Sequence, residues 1–318
     1  LYDYSMNDSH VYNFTLEVDE PNRIDKLLSN YFIEYSRATV QKWIINKDVL
    51  IDGKTCTQKD KIKSNCNVSI NVKTKPEINL IPENIDIEII DETNDYIIVN
   101  KSSGMVTHIA PGNYTGTLQN ALYYKYPELS NVPRTGIIHR LDKNTSGILV
   151  VSRNLSSHNN LVQQLQNKKF IKIYHALVSG FIDKPIVINE PIGRHSVNRK
   201  KMAISINGKD ALSKIKLLNR LNKSSHIEVQ IITGRTHQIR VHLSHINNPV
   251  IGDKLYGFRK NIFNKDNDIL ANIDMKFEQY LHARSLSFID PATQKVKKYT
   301  ADYPKEYIGL LEKLHEKN

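Results

Sequence analysis

Cysteine is nearly missing from this chain of 318 residues: Cys56 and Cys66 are the only two, and neither stands in a CxxC or Cys/His ligand spacing. A disulfide framework and a zinc site are therefore unsupported, and a reducing, cytosolic setting is expected. No apolar run approaches the roughly 18 residues that a membrane span needs, and the polar start, residues 1–13, lacks the apolar core of a signal peptide. A soluble, unexported protein with no membrane partner is expected. His237, His242 and His245 fall close together, but no His-Glu-x-x-His pattern accompanies them, so no metal is expected. Internal repeats and low-complexity tracts are also missing.

What is present is enough apolar residue for a real core, 40% of the chain, at a length that divides more naturally into two domains than one. The formal net charge of +11 and a sequence pI of about 9.3 fit a polyanionic partner. Lys and Arg are spread along the whole sequence, so only folding can gather them into a surface.

A strand-like stretch over residues 12–18 precedes two short helices. Ile24, Leu27, Leu28 and Tyr31 share one helical face, and Ser36 as N-cap leads into Val40, Trp43 and Ile44 at the same three-and-four spacing. Val49-Leu50-Ile51 then runs into Asp52-Gly53, which suits a tight hairpin turn, and residues 68–72 alternate like a strand. Arg23, Lys26, Arg37, Lys42 and Lys47 lie on the polar side of these helices, where they suit either solvent or a phosphate backbone. Residues 73–84 hold two prolines and no helical period and read as a linker. Beyond it, β-rich segments (85–90, 96–99, 148–151, 171–178, 227–232) outnumber two helical patterns, one around Leu118, Ala121 and Leu122 and one around Leu161, Val162 and Leu165. That order favours an α+β sheet over a doubly wound parallel one.

The densest polar cluster in apolar surroundings is His139-Arg140-Leu141-Asp142-Lys143-Asn144-Thr145-Ser146-Gly147, bracketed by Ile137-Ile138 and Ile148-Leu149-Val150-Val151. Such a loop presents reactive groups at a cleft floor, or else is a turn that Asp142 caps and Gly147 ends. Protein kinases carry a His-Arg-Asp loop, but here Leu141 intervenes. The glycine-rich loop and Asp-Phe-Gly that phosphate and magnesium handling needs do not follow.

Two resemblances emerge from these residues. Residues 20–72, through Arg23-Ile24-Asp25-Lys26-Leu27-Leu28, Ser36-Arg37 and Val49-Leu50-Ile51-Asp52-Gly53-Lys54, resemble the RNA-binding domain named after ribosomal protein S4. The Asp142 loop resembles the signature of the RluA-type pseudouridine synthases. Further blocks of that family follow in order: Val99-Asn100-Lys101 with Gly104-Met105 and His108, Gly116-Thr117-Leu118, Tyr174 with Ala176-Leu177-Val178, Glu190-Pro191-Ile192-Gly193-Arg194, residues 233–242, Gly252-Asp253-Lys254-Leu255-Tyr256-Gly257 and His282-Ala283-Arg284. Ser102 stands where the family usually has proline, and Asn144 where it has an acidic residue.

The resemblance implies an extension over residues 1–19, an S4-like α/β domain over 20–72, a linker over 73–84, and a catalytic domain over 85–318. The fold class is α+β, the catalytic sheet being mixed, mainly antiparallel and split by a central cleft. It implies a cytoplasmic, cofactor-free and monomeric enzyme that converts uridine to pseudouridine in large-subunit ribosomal RNA, free or in an assembly intermediate, on a stem-loop of an intersubunit bridge. Other large-subunit sites and a non-catalytic assembly factor are the alternatives. Asp142 would act as nucleophile or as base in a glycal route, paired with Arg240. Tyr174 would stack on the flipped base and Arg140 would fill the space it leaves. Arg235, Arg194, Arg23, Arg37 and Lys42 would hold RNA, and His139 would lie against the same loop, bracing it.

Overall fold

A computed structural model describes residues 9–18, 20–32, 37–73, 80–110, 112–258 and 277–315. The chain divides into two compact units, residues 1–79 and 80–318. Among the described residues no helix is long and apolar enough to cross a membrane.

In the first unit β1 (Ser9–Leu16), β2 (Val49–Ile51), β3 (Lys54–Thr55) and β4 (Cys66–Lys73) form an antiparallel sheet in the order β1-β4-β2-β3, with α1 (Ile24–Tyr31) and α2 (Arg37–Ile45) between β1 and β2. Asp52 and Gly53 both take positive φ, 47° and 78°, the conformation a two-residue hairpin turn requires. Ile24, Leu28, Val40, Trp43 and Ile44 are buried together, as their spacing predicts. Tyr31 is not among them: it lies half exposed and stacks on Phe14 at 4.1 Å. Ser36 lies outside the described residues.

Asp25 sits under this helix pair, fully buried, and accepts hydrogen bonds from Arg23, Arg37 and Gln41. Burial pushes its carboxyl up, but the bonds from Gln41, Arg37 and Arg23 outweigh that and hold it below its ordinary value. Two arginines expected on an RNA-facing side are thus partly committed to Asp25, Arg37 clamping α2 to α1 and Arg23 closing on the first turn of its own helix. Lys42 is exposed.

The second unit is built on a nine-stranded sheet, counted among the described residues. Its elements in chain order are β5 (Glu88–Glu92), β6 (Tyr96–Lys101), α3 (Leu118–Lys125), β7 (Ser146–Ser152), α4 (Leu155–Gln166), β8 (Ile171–Ser179), β9 (Ile186–Asn189), β10 (Leu212–Leu221), β11 (Ser224–Ile231), α5 (Gln238–His245), β12 (Leu281–Ile289), β13 (Val296–Thr300) and α6 (Lys305–His315). The sheet order is β9-β10-β11-β8-β12-β7-β6-β5, with β13 also on β12. Every pairing is antiparallel except β12 with β7. Residues 85–87 fall outside β5, because pairing with β6 begins only at Glu88. Residues 81 and 83, read as linker, are tied down instead: Asn120 Nδ2 donates to the Ile81 carbonyl and Glu83 accepts from the Gly116 amide. Reciprocal caps by Thr117 and Asn154 start α3 and α4.

The sheet forks at β12. His282 and Ala283 pair with Ser146 and Gly147 of β7, whereas Ser285 onward pairs with β13 on the same edge. Gly147 makes that fork possible, since its φ is +113° and a Cβ there would stand 2.3 Å from the Ala283 carbonyl oxygen. Gly147→Ala is therefore expected to lower the melting temperature by roughly 5 °C or more, read by calorimetry.

Candidate active site

The polar loop between Ile138 and β7 is pinned from several sides. Thr107 Oγ1 donates to the Leu141 carbonyl at 2.9 Å, the Gly104 amide to the Lys143 carbonyl at 2.9 Å, and Ser103 Oγ to the Asn144 carbonyl at 2.9 Å. Lys101, buried at the end of β6, gives its ammonium to the carbonyls of Ser102, Met105 and Lys143. Burial pushes this lysine down to about 7, against the pull of Asp142. Asn144 donates to Glu278 at 2.5 Å, a bond that the acidic residue usual at this place in the resembled family would replace by repulsion.

Held in this way, Leu141 turns into the core and Asp142 into a cleft of about 1100 Å³, which Arg134, Arg140, Lys143, His237 and Arg240 also line. Arg240 Nη1 donates to Asp142 Oδ2 at 3.1 Å. The same guanidinium is clamped from behind by Asp253, through Nε at 2.6 Å and Nη2 at 3.0 Å, and lies over the Tyr256 ring at 4.7 Å. Arg240 and Asp253 are 8% and 2% exposed, so the clamp is nearly dry and orients the donor that meets Asp142. His237, with φ 56°, caps α5 in a left-handed turn; its Nδ1 lies 2.7 Å from the Tyr256 hydroxyl and its Nε2 3.8 Å from Asp142.

A second cavity, of about 460 Å³, shares Arg140, Asp142 and Arg240 with the first. Tyr174 lines it from β8, opposite Ala283 at a register shift where Arg284 goes unpaired, the kind of bulge that re-aims a side chain. Burial pushes the Tyr174 hydroxyl well above its ordinary range and the Asp142 charge adds to it, so the phenol keeps its proton.

The remaining predicted residues scatter. Arg140 is exposed and lines both cavities, and Arg235 lines the second, donating Nε to the Asp210 carbonyl at 2.9 Å. Arg194 is exposed at the end of the ribbon Ile192–Arg194 and lines neither cavity. His139 Nε2 accepts from the Val150 amide at 3.2 Å, and burial pushes its ring down to about 3, so it braces the loop as a neutral group. Of the histidines weighed as metal ligands, His242 is engaged by Ser213 Oγ and the Glu190 carbonyl. Arg23, Arg37 and Lys42 belong to the other unit. Sequence reasoning missed Asp253, Lys101 and His237 as parts of the site; their only signal was membership of the blocks around Gly252, Asn100 and Thr236.

The chain is similar to known proteins along nearly its whole length. The RNA pseudouridylate synthase family matches residues 95–245, and the S4 domain matches residues 22–65. Ribosomal large subunit pseudouridine synthase D of Buchnera aphidicola subsp. Schizaphis graminum is 40% identical over 294 residues, covering 91% of this chain and 93% of that protein. The proteins of the same name from Pseudomonas aeruginosa and Escherichia coli K12 are 38% and 35% identical, over 92% and 91% of this chain and 92% and 90% of their own lengths. Among solved structures, human RNA Pseudouridylate Synthase Domain Containing 1 superposes with a TM-score of 0.54 at 27% identity, covering 69% of this chain and 84% of that one.

Proposed function

The chain belongs to the RNA pseudouridylate synthase family and carries an S4 domain, and on that premise we propose that it isomerises uridines to pseudouridine in large-subunit ribosomal RNA. The observation that carries the reading is the Asp142 carboxylate held by Arg240 at the junction of two cavities, with Tyr174 lining one of them.

The reaction breaks the bond from ribose to the base nitrogen, turns the uracil, and joins its C5 to the ribose. Nothing is oxidised and no group is added. Asp142 either bonds the sugar or takes a sugar proton on the way to a glycal, and both roles need an ionised carboxylate, which the Arg240 guanidinium orients through its hydrogen bond. A base stacked in RNA cannot reach this floor, so the nucleotide is flipped at a cost of roughly a few kcal/mol. Tyr174 then offers its ring face to the uracil, and Arg140, exposed at the loop's crest, takes the vacated place in the RNA. A phenol that keeps its proton favours the platform role over that of a base. Basic residues around the cleft and on the S4 unit hold the backbone, and no nucleotide cofactor or second subunit enters the chemistry. A cytoplasmic place follows from the ribosomal substrate.

Forming the new bond displaces the hydrogen on C5 of uracil. Large-subunit RNA labelled with tritium at that position is therefore expected to release label to water with the protein alone, without added cofactor; no release from any large-subunit fragment would refute the assignment. Tyr174→Phe is expected to keep most of the rate, whereas Tyr174→Leu loses about tenfold to a hundredfold, as the loss of one stacked base would give. Equal loss in both would move the role from the ring to the hydroxyl.

A further inference from the structure

Lys172 has no function in the chemistry above, yet it is placed at a cost. It precedes Tyr174 by two residues on β8, so both side chains face the same way, and both line the 460 Å³ cavity. Lys172 is 9% exposed. Among the described residues its ammonium makes no hydrogen bond and no ion pair. Among the described residues Asp142 is the lone carboxylate lining this cavity, and Arg240 already engages it. Instead of an anion, Lys172 meets further positive charge: the neighbouring segment is Gly234-Arg235, and Lys172 Nζ lies 3.4 Å from where a Cβ on Gly234 would stand. Burial and the charge of Arg235 push Lys172 down to about 8. A buried ammonium beside a second cation, with no counter-ion, is costly in the free protein and favourable only when an anion arrives.

We propose that Lys172 and Arg235 form a phosphate site inside the cleft that takes a backbone phosphodiester flanking the flipped uridine and so fixes the nucleotide against Tyr174. The proposal rests on the pseudouridine reading above. Two adjacent cations match an anion with several oxygens, whereas a uracil carbonyl presents one neutral acceptor. Arg235 spends Nε on the Asp210 carbonyl, which fixes the guanidinium plane. Lys172 is thereby a positioning residue for the reaction, and Arg235 its partner.

The test compares wild type, Lys172→Met and Lys172→Arg on a large-subunit stem-loop with a methylphosphonate at the linkage 5′ or 3′ of the converted uridine. Lys172→Met is expected to lower kcat/KM at least about tenfold, mainly through KM, and Lys172→Arg to restore it within about threefold. One methylphosphonate should cost the wild type about tenfold and Lys172→Met under about twofold. In wild type kcat/KM falls as pH rises through about 8, because the ammonium is lost above that value; Lys172→Arg removes this limb. The melting temperature of Lys172→Met should match or exceed wild type, since an unpaired buried charge is gone. Equal sensitivity of wild type and Lys172→Met to both methylphosphonates, or a lowered melting temperature with no change in KM, overturns the phosphate site. Salt dependence of RNA binding needs no turnover and is read in parallel: its slope should be smaller by about one in Lys172→Met. A wild type that binds RNA with this slope difference but forms no pseudouridine refutes the parent reading and leaves the phosphate site standing.

Discussion

Replacing Asp142 by Asn is expected to lower the single-turnover rate of pseudouridine formation by about a thousandfold or more, with the melting temperature and RNA affinity close to wild type. The two halves of this expectation come from different parts of the geometry. Asn keeps the size of the side chain and an oxygen that accepts from Arg240, and Arg240 stays clamped by Asp253, so neither packing nor the cleft's shape has reason to change. What Asn lacks is the negative charge, which both candidate mechanisms require. Asp142→Glu tests placement instead: the charge survives but moves by one methylene, and Arg240 is fixed too firmly to follow, so a loss of about a hundredfold or more is expected. A near-normal rate in Asp142→Asn would remove this carboxylate from the chemistry.

Asp253→Ala is expected to strike both stability and activity. The Arg240–Asp253 pair is almost dry, and deleting one partner leaves a buried guanidinium with Asp142 as its remaining ion-pair partner beside the Tyr256 ring, a loss of about 3–5 kcal/mol. The turn that follows loosens as well, because Asp253 Oδ1 also accepts from the Tyr256 amide. Freed from its clamp, Arg240 can rotate toward Asp142 and change where that carboxylate points, so a fall in kcat of about a hundredfold or more accompanies the drop in melting temperature. Asp253→Asn keeps the oxygen and should lose less of both. If Asp253→Ala destabilised the fold and left kcat intact, Arg240 would be structural rather than an orienting partner of Asp142.

The sequence made some of this legible and hid the rest for physical reasons. The Asp142 loop stands out because charged residues interrupt an apolar stretch, and α1 and α2 follow from apolar spacing that a helix must obey. Asp25 escaped notice because a carboxylate on a helix reads as solvent-facing; only the fold shows Arg23, Arg37 and Gln41 converging on it. Arg240 and Asp142 are 98 positions apart, and local periodicity carries no information on such a pairing; the family resemblance supplied it. The resemblance placed Asp253 and Lys101 inside family blocks without a role for either, and it did not extend to Lys172 beside Tyr174. The fork at β12 was equally unreadable, since both partners of its edge are ordinary β-rich segments and the choice between them is made by Gly147.

The central claim is a uridine isomerisation that depends on Asp142 in large-subunit ribosomal RNA. Its most direct test is site-by-site pseudouridine mapping of that RNA from cells with the gene intact, deleted, and deleted but supplied with either wild type or Asp142→Asn. The expected result is a defined set of pseudouridines that disappears on deletion, returns with wild type, and stays absent with Asp142→Asn. An unchanged large-subunit map after deletion, or the same sites restored by Asp142→Asn, would contradict it.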